Sequence, residues 1–314
     1  MKKILPFIQQ TPLQYFAFYI DYFGPLMGQG YDVRGLLYNN FISIAYAPIM
    51  NEIFFLSGFP PGRKIRKQYN RKLIRNMPED PIMYIKKNID YNRYAILMLD
   101  AQHMSEVPMS EEWFHEWLVY GYDDDEMIFH VSGYYRKNNA RKMIYEPFKL
   151  NYDDFIKSLP PKGMKLPYMM KAQVFGLPDK YVSEKISTKK IKRQLFFYVN
   201  SIIPCCNKKV YQHLSKELLK ESKGSNKNAL QMIVVLCEHK NLILQMIQDI
   251  TQNTELAKEY QSIVSMITIV KYLYIKISIL GNNNTRREYQ KIQELLFQIE
   301  KQEIKCMRKI LKEI

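Results

Sequence analysis

The sequence predicts an α+β protein in two parts: a first half built on an antiparallel sheet, followed by an all-helical second half. Three observations carry that expectation. Between Tyr94 and Tyr145 lie four apolar runs of strand length, the middle two joined by a tight charged turn. From Thr188 onward, five long segments repeat apolar residues every three or four positions, with Gly, Pro or Asn between them. The charge divides at the same place. Residues 1–160 carry 19 Lys+Arg against 18 Asp+Glu, whereas 161–314 carry 27 against 13, so nearly all of the net +15 belongs to the helical half. The expected division is 1–160, a crossing segment 161–188, and 189–314. At 314 residues the chain is long enough for two cores.

Taken in order, residues 10–29 have a helical apolar pattern that Gly24-Pro25 is expected to stop. Residues 34–47 predict a second helix. Gly58-Phe59-Pro60-Pro61-Gly62 predicts a turn, and a basic stretch follows from Arg63 to Arg75. Pro81–Ile89 predicts a short helix with Glu79 and Asp80 at its positive end. Tyr94–Asp100, His115–Tyr122, Met127–Val131 and Arg141–Tyr145 read as strands. The turn Asp123-Asp124-Asp125-Glu126 makes the middle two a hairpin. Asn151 is placed to cap a helix over Tyr152–Leu159, and 164–188 reads as irregular. The helices beyond are 189–202, 208–223, 226–253, 255–280 and 285–313. The last carries Tyr289, Ile292, Leu296, Ile299, Cys306 and Ile310 on one face.

Composition narrows the function classes. Cys205, Cys206, Cys237 and Cys306 include no zinc-spaced pair, so no metal site and no cofactor is expected, and free thiols point to a reducing cytoplasm. The apolar run after Lys2-Lys3 is too short for a signal sequence. Ile263–Leu280 contains Lys271 and Lys276, so a packed helix is expected there rather than a membrane span. The basic half would attract nucleic acid, anionic lipid or an acidic protein such as an acyl carrier, and it equally fits lysines that solvate helix faces. Clusters such as Lys189-Lys190-Ile191-Lys192-Arg193 lack a nucleic-acid fold signature, which disfavours nucleic acid among these partners.

The segment best suited to chemistry is Phe114-His115-Glu116-Trp117-Leu118-Val119-Tyr120-Gly121-Tyr122-Asp123, where a histidine opens a buried strand. A base so placed can activate a thiol at a facing helix N-terminus. The same His115 also fits a core-edge ring. His103 and His130 share no metal spacing with it. Glu238-His239 on a long helix reads as structural.

Several segments in order carry a family resemblance: Lys2-Lys3-Ile4-Leu5-Pro6, Leu37-Tyr38-Asn39-Asn40-Phe41-Ile42, Tyr94–Asp100, His115, Gly121-Tyr122-Asp123, and Phe129-His130-Val131-Ser132-Gly133-Tyr134. With them, residues 1–160 resemble the N-terminal domain of butirosin biosynthesis protein H, a papain-like acyltransferase relative. The second half, notably Cys237-Glu238-His239-Lys240-Asn241-Leu242, looks like the helical extension of bacterial members. The resemblance implies a papain-like fold and acyl transfer from a carrier-protein thioester to an amine in bacterial natural-product biosynthesis, with His115 matching the base. The family's cysteine is expected between Gln10 and Phe16, and this chain has none before Cys205. Thr11 is the hydroxyl available in that window. Gln9 or Gln10 would supply an oxyanion donor, and Asp100, Tyr122 and Ser132 would support the site; Ser132, Asn138 and Asn139 stand where a third catalytic partner is usual.

Two readings follow. In the first, His115 deprotonates an amine or peptide acceptor directly, as general-base catalysis requires. In the second, the papain-like part is a pseudoenzyme, and the protein serves as an accessory module docking an acidic acyl carrier protein or another acidic protein.

Overall fold

The computed structural model describes residues 1–47, 52–56, 67–70, 79–107, 111–136, 143–161, 164, 173–177, 183–200, 206–222, 229–280 and 286–314. The chain is mixed α+β with an antiparallel sheet and divides into two compact units. The sheet unit comprises Met1–Asp32 and Pro60–Val182; the helical unit comprises Val33–Phe59 and Ser183–Ile314.

The sheet unit contains β1 (Lys2–Ile4), β4 (Lys67–Asn70), β5 (Arg93–Asp100), β6 (Phe114–Asp123), β7 (Ile128–Arg136), β8 (Met143–Asn151) and β9 (Gln173–Gly176). Their order is β4-β9-β5-β6-β7-β8, with β1 also pairing with β6. The first half of β6 pairs with β5, from Asp100↔Phe114 to Ala95↔Val119. Its second half pairs with β1, from Ile4↔Gly121 to Lys2↔Asp123. The β6–β7 register shifts between Val119 and Gly121, which frees Tyr120 to stack on Phe7, ring centroids 5.1 Å apart. A bulge re-aims a side chain in this way.

Helix α1 (Ala17–Gly28) lies against this sheet: Tyr145 Oη donates to Asp21 Oδ1 at 2.6 Å, and Gln173 Nε2 donates to Tyr22 Oη at 2.7 Å. Helix α3 (Pro81–Asp90) starts where Asp80 accepts from Met83 N at 2.9 Å. Helix α4 (Tyr152–Lys157) starts where Asn151 accepts from Asp154 N at 2.7 Å. Both are side-chain N-caps; Asn151 was expected as one, and Asp80 only as a charge at the positive end of its helix.

The helical unit holds α2 (Arg34–Asn40), the hairpin β2 (Ile44–Ala47) and β3 (Glu52–Phe55), and five longer helices. These are α5 (Thr188–Asn200), α6 (Lys209–Glu221), α7 (Ala229–Ile250), α8 (Thr254–Leu280) and α9 (Arg286–Glu313). Each end lies within three residues of its sequence-based expectation. The anticipated face of α9 is buried throughout: Tyr289, Ile292, Leu296, Ile299, Cys306 and Ile310 are at most 4 % exposed.

Four expectations are corrected. Helix α1 begins at Ala17 and runs through Pro25 to Gly28 instead of stopping at Gly24. A Cβ at Gly24 would stand 2.4 Å from the Phe7 ring, so the glycine serves close packing there rather than a helix stop. The helix expected over 34–47 ends at Asn40, and Ile44–Ala47 become a strand because they pair with β3 and, through Ala45, with Cys206. Within 164–188, read as irregular, Gln173–Gly176 form β9 between β4 and β5. The division also differs from 1–160, 161–188 and 189–314, because residues 33–59 belong with the helices. Gln194 Oε1 accepts from Ile42 N, Asn207 Oδ1 accepts from Ile44 N, and Asn39 bonds Glu184, Lys185 and Ser187. The turn at 58–62, most of the basic stretch 63–75, Cys205, Asn138 and Asn139 lie outside the described residues.

Candidate functional site

The region around His115 decides how the residues expected to do chemistry are arranged. Side chains alternate across a strand. The pairs Leu118↔Ser132, Ser132↔Pro147 and Tyr134↔Tyr145 place Glu116, Leu118, Ser132, Tyr134 and Tyr145 on the face that α1 covers, where Tyr145 holds Asp21. The β5–β6 register pairs His115 with Leu99, next to Trp117↔Leu97, at the end of β6 where its pairing with β7 has stopped, and its ring also reaches Tyr134 of the α1-covered side. Its ring stands 4.7 Å from Trp113, 6.3 Å from Trp117 and 6.4 Å from Tyr134, centroid to centroid. Its Nδ1 lies 3.1 Å from the carbonyl of Glu116. Burial lowers the His115 pKa, partly offset by that carbonyl.

Of the other expected residues, Thr11, Gln9, Asp100 and Tyr122 have other partners. The Thr11 hydroxyl is buried and donates to Leu13 O at 2.6 Å. Gln9 donates to the Tyr145 carbonyl, and Gln10 is exposed. Asp100 Oδ1 accepts from Gln102 N at 3.0 Å and Trp113 N at 2.8 Å, and so fixes the loop that carries Trp113. Tyr122 donates to Asp90 Oδ1 at 2.8 Å, near the opposite end of β6 from His115. Ser132 is fully buried on the α1 face. Asp21 and Glu116 were not anticipated. Burial raises both carboxyls, Asp21 well above its ordinary range and Glu116 to about 7. Two acids on a covered apolar face are legible only once the sheet and α1 are assembled.

The helical unit contains a polar centre. Glu303 of α9 is 0 % exposed. Its Oε2 accepts from Tyr198 at 2.8 Å and Tyr211 at 2.6 Å; its Oε1 accepts from Tyr260 at 2.7 Å and Lys240 at 2.7 Å. One residue from each of α5, α6, α7 and α8 thus converges on a carboxylate of α9. Lys240 Nζ also donates to His239 Nδ1 at 2.8 Å, while His239 Nε2 bonds Ile42 O at 2.7 Å. A carbonyl can only accept, so Nε2 carries the proton and the ring is neutral. Burial, then Lys240, lowers the His239 pKa to about 3. Burial alone would raise Glu303, but the charge and hydrogen bond of Lys240, with the hydrogen bond from Tyr211, outweigh it and hold it at about 2. The cluster is sealed from solvent, so its role is to join helices. Its signal was present in the sequence: Glu303 and Lys240 sit on otherwise apolar stripes of their helices.

An accessible trough of about 1050 Å³ lies between α6 and α9. Lys208, Tyr211, Gln212 and Ser215 line one side; α9 supplies the other from Gln293 to Lys312. Leu296, Tyr211 and Ile304 give it an apolar floor, and Phe297 stands 66 % exposed at one end. Lys301, Lys305, Arg308 and Lys312 are exposed along α9 at spacings of four, three and four residues. Such spacing keeps side chains on one helix face. Among the described residues, none of these four lies within ion-pair distance of a carboxylate, whereas Lys309 is held by Glu259 at 2.6 Å. Glu300 is the acidic lining residue, and burial raises its pKa.

Among the described residues no cluster of three or more His, Cys, Asp or Glu could hold a metal ion. By length and composition α7 and α8 could each cross a membrane; α7 carries His239 and Lys240 into the polar centre. Neither the family models nor the curated proteins compared with this chain match it.

Proposed function

We propose that the protein is a binding module that docks an acidic partner through the basic trough of its helical unit, and that its sheet unit is a papain-like relative without a catalytic thiol. The observation that carries this reading is the row Lys301, Lys305, Arg308 and Lys312, exposed beside an apolar floor. Four cations on one face raise the local concentration of an acidic partner and speed its arrival. Lysines that merely solvate a helix need no concave apolar floor beside them.

Acyl transfer with His115 as base is supported less well. That mechanism needs an imidazole facing the acceptor, and this ring stands among Trp113, Trp117 and Tyr134. The deciding experiment pairs two measurements. Polyglutamate binding, followed by calorimetry across salt concentrations, should weaken at least tenfold when Lys301, Lys305, Arg308 and Lys312 are all changed to Glu. The matched reversal of four exposed cations on α5, Lys189, Lys190, Lys192 and Arg193, should have little effect. Equal loss from both reversals would show diffuse charge attraction and defeat the reading. Amine-dependent thioester cleavage that disappears in His115→Ala would restore the catalytic one.

A further inference from the structure

Resting on the docking reading, we propose that the occupant of the trough is an acidic amphipathic helix of a partner protein, lying along α9 with carboxylates over the cation row and an apolar anchor on the floor. The argument begins with dimensions. From Lys301 to Lys312 the row runs about 16 Å along the helix axis at 1.5 Å per residue, so its ligand is elongated and carries several negative charges. A small anion would engage one or two cations and leave the rest unused.

The row has helical spacing, four, three and four residues. A second helix laid alongside presents carboxylates with the same repeat, so each meets a cation without distortion. The floor supplies the other half of the recognition. Leu296 and Tyr211 are buried under the trough, Ile304 is half-covered, and Phe297 projects into solvent at its end. Helix-in-groove docking uses such a strip to receive apolar side chains three and four residues apart.

Two other polyanions fit less well. A nucleic-acid strand would match the charges, but single-strand grooves set successive aromatics along the path for base stacking, and here, among the described residues, Phe297 is the one exposed ring in the trough lining. A lipid surface is flat and would not fill a cleft between two helices.

The test uses fluorescence anisotropy on the full chain with four probes. One is a labelled fifteen-residue peptide with Glu on one helical face and Leu on the adjacent face. The others are a scramble of the same composition, polyglutamate and a short DNA duplex. The amphipathic peptide should bind at least tenfold tighter than its scramble. The Phe297→Ala variant should weaken the amphipathic peptide about fivefold and leave polyglutamate unchanged. Phe297 is largely exposed, so this variant should fold, and an unchanged circular dichroism melt would verify it. Equal binding of peptide and scramble, or a duplex that binds more tightly through the same cations, overturns the helix proposal while docking of an acidic ligand stands. Failure of every probe to depend on the four cations overturns the docking reading itself.

Discussion

Removing the Glu303 carboxylate should unfold the helical unit more readily than any surface charge change. Glu303→Ala leaves the Lys240 ammonium with His239 Nδ1 as its one remaining partner of those described above, and takes the acceptor from Tyr198, Tyr211 and Tyr260. Breaking a buried ion pair from one side costs about 3–5 kcal/mol. An orphaned buried hydroxyl costs about 1–3 kcal/mol before relaxation, and these costs are not additive because the groups share one network. A loss of at least 4 kcal/mol is expected, which is most of the margin of a typical domain, about 5–15 kcal/mol. Replacing both Glu303 and Lys240 by Leu and Met should cost less than the sum of the single changes, because no uncompensated charge remains.

Urea unfolding followed by two probes isolates the effect. Both tryptophans, Trp113 and Trp117, lie in the sheet unit, so their fluorescence follows that unit, while the helical signal in circular dichroism comes mainly from the other. Glu303→Ala should shift the helical transition and leave the tryptophan transition in place. Glu255→Ala is the control: its pair with Lys258 is about three-quarters exposed on both sides and should matter by less than about 1 kcal/mol. A loss under about 1 kcal/mol for Glu303→Ala, or strict additivity in the double variant, would refute the network account.

Other expectations follow from the same structure. His239 has its folded pKa depressed from 6.5 to about 3, so its contribution is complete above pH 6.5 and is lost as pH falls toward 3, at about 1.4 kcal/mol per pH unit; Glu303, depressed from 4.5 to about 2, adds a loss of the same sign below pH 4.5. The helical transition should therefore weaken in mild acid, and a transition that strengthens between pH 6.5 and 5 would contradict the neutral buried ring. Glu116 has the opposite sign: raised from 4.5 to about 7, it favours the fold below pH 4.5 and loses that contribution as pH rises through 7. Glu116→Gln should thus gain about 3 kcal/mol on the wild type between pH 4.5 and 7.5, read by tryptophan fluorescence. Gly35→Ala, in a helix where alanine normally stabilises, should instead cost about 1–3 kcal/mol, because its Cβ would fall 1.6 Å from the Glu184 carbonyl oxygen; a neutral thermal shift would show that 183–185 moves freely. Asp80→Ala should remove the α3 cap and about 1 kcal/mol of stability, read on the tryptophan transition.

The sequence by itself determined the elements whose signals are local. Apolar residues at helical spacing, interrupted by Gly, Pro and Asn, placed α5 to α9 within three residues; apolar runs placed β5 and β6 within one residue and the starts of β7 and β8 within two, though both strands run on well past their expected ends. Asp80 and Asn151 announced two helix starts, because a cap needs only its own next turn. Tertiary structure decided the rest. Ile44–Ala47 and Gln173–Gly176 are short segments that become strands by pairing with distant chain, so their own residues do not specify them. Residues 33–59 join the helices through bonds to Gln194, Asn207 and His239, partners more than 150 positions away. His115 was recognisable as a histidine opening a strand, but which face it takes depends on register, and one residue of shift exchanges the faces. Glu303 and Lys240 were visible as charges on apolar stripes. That they meet one another, with three tyrosines around them, required four other helices to close on α9, because a buried charge persists only where its partners converge.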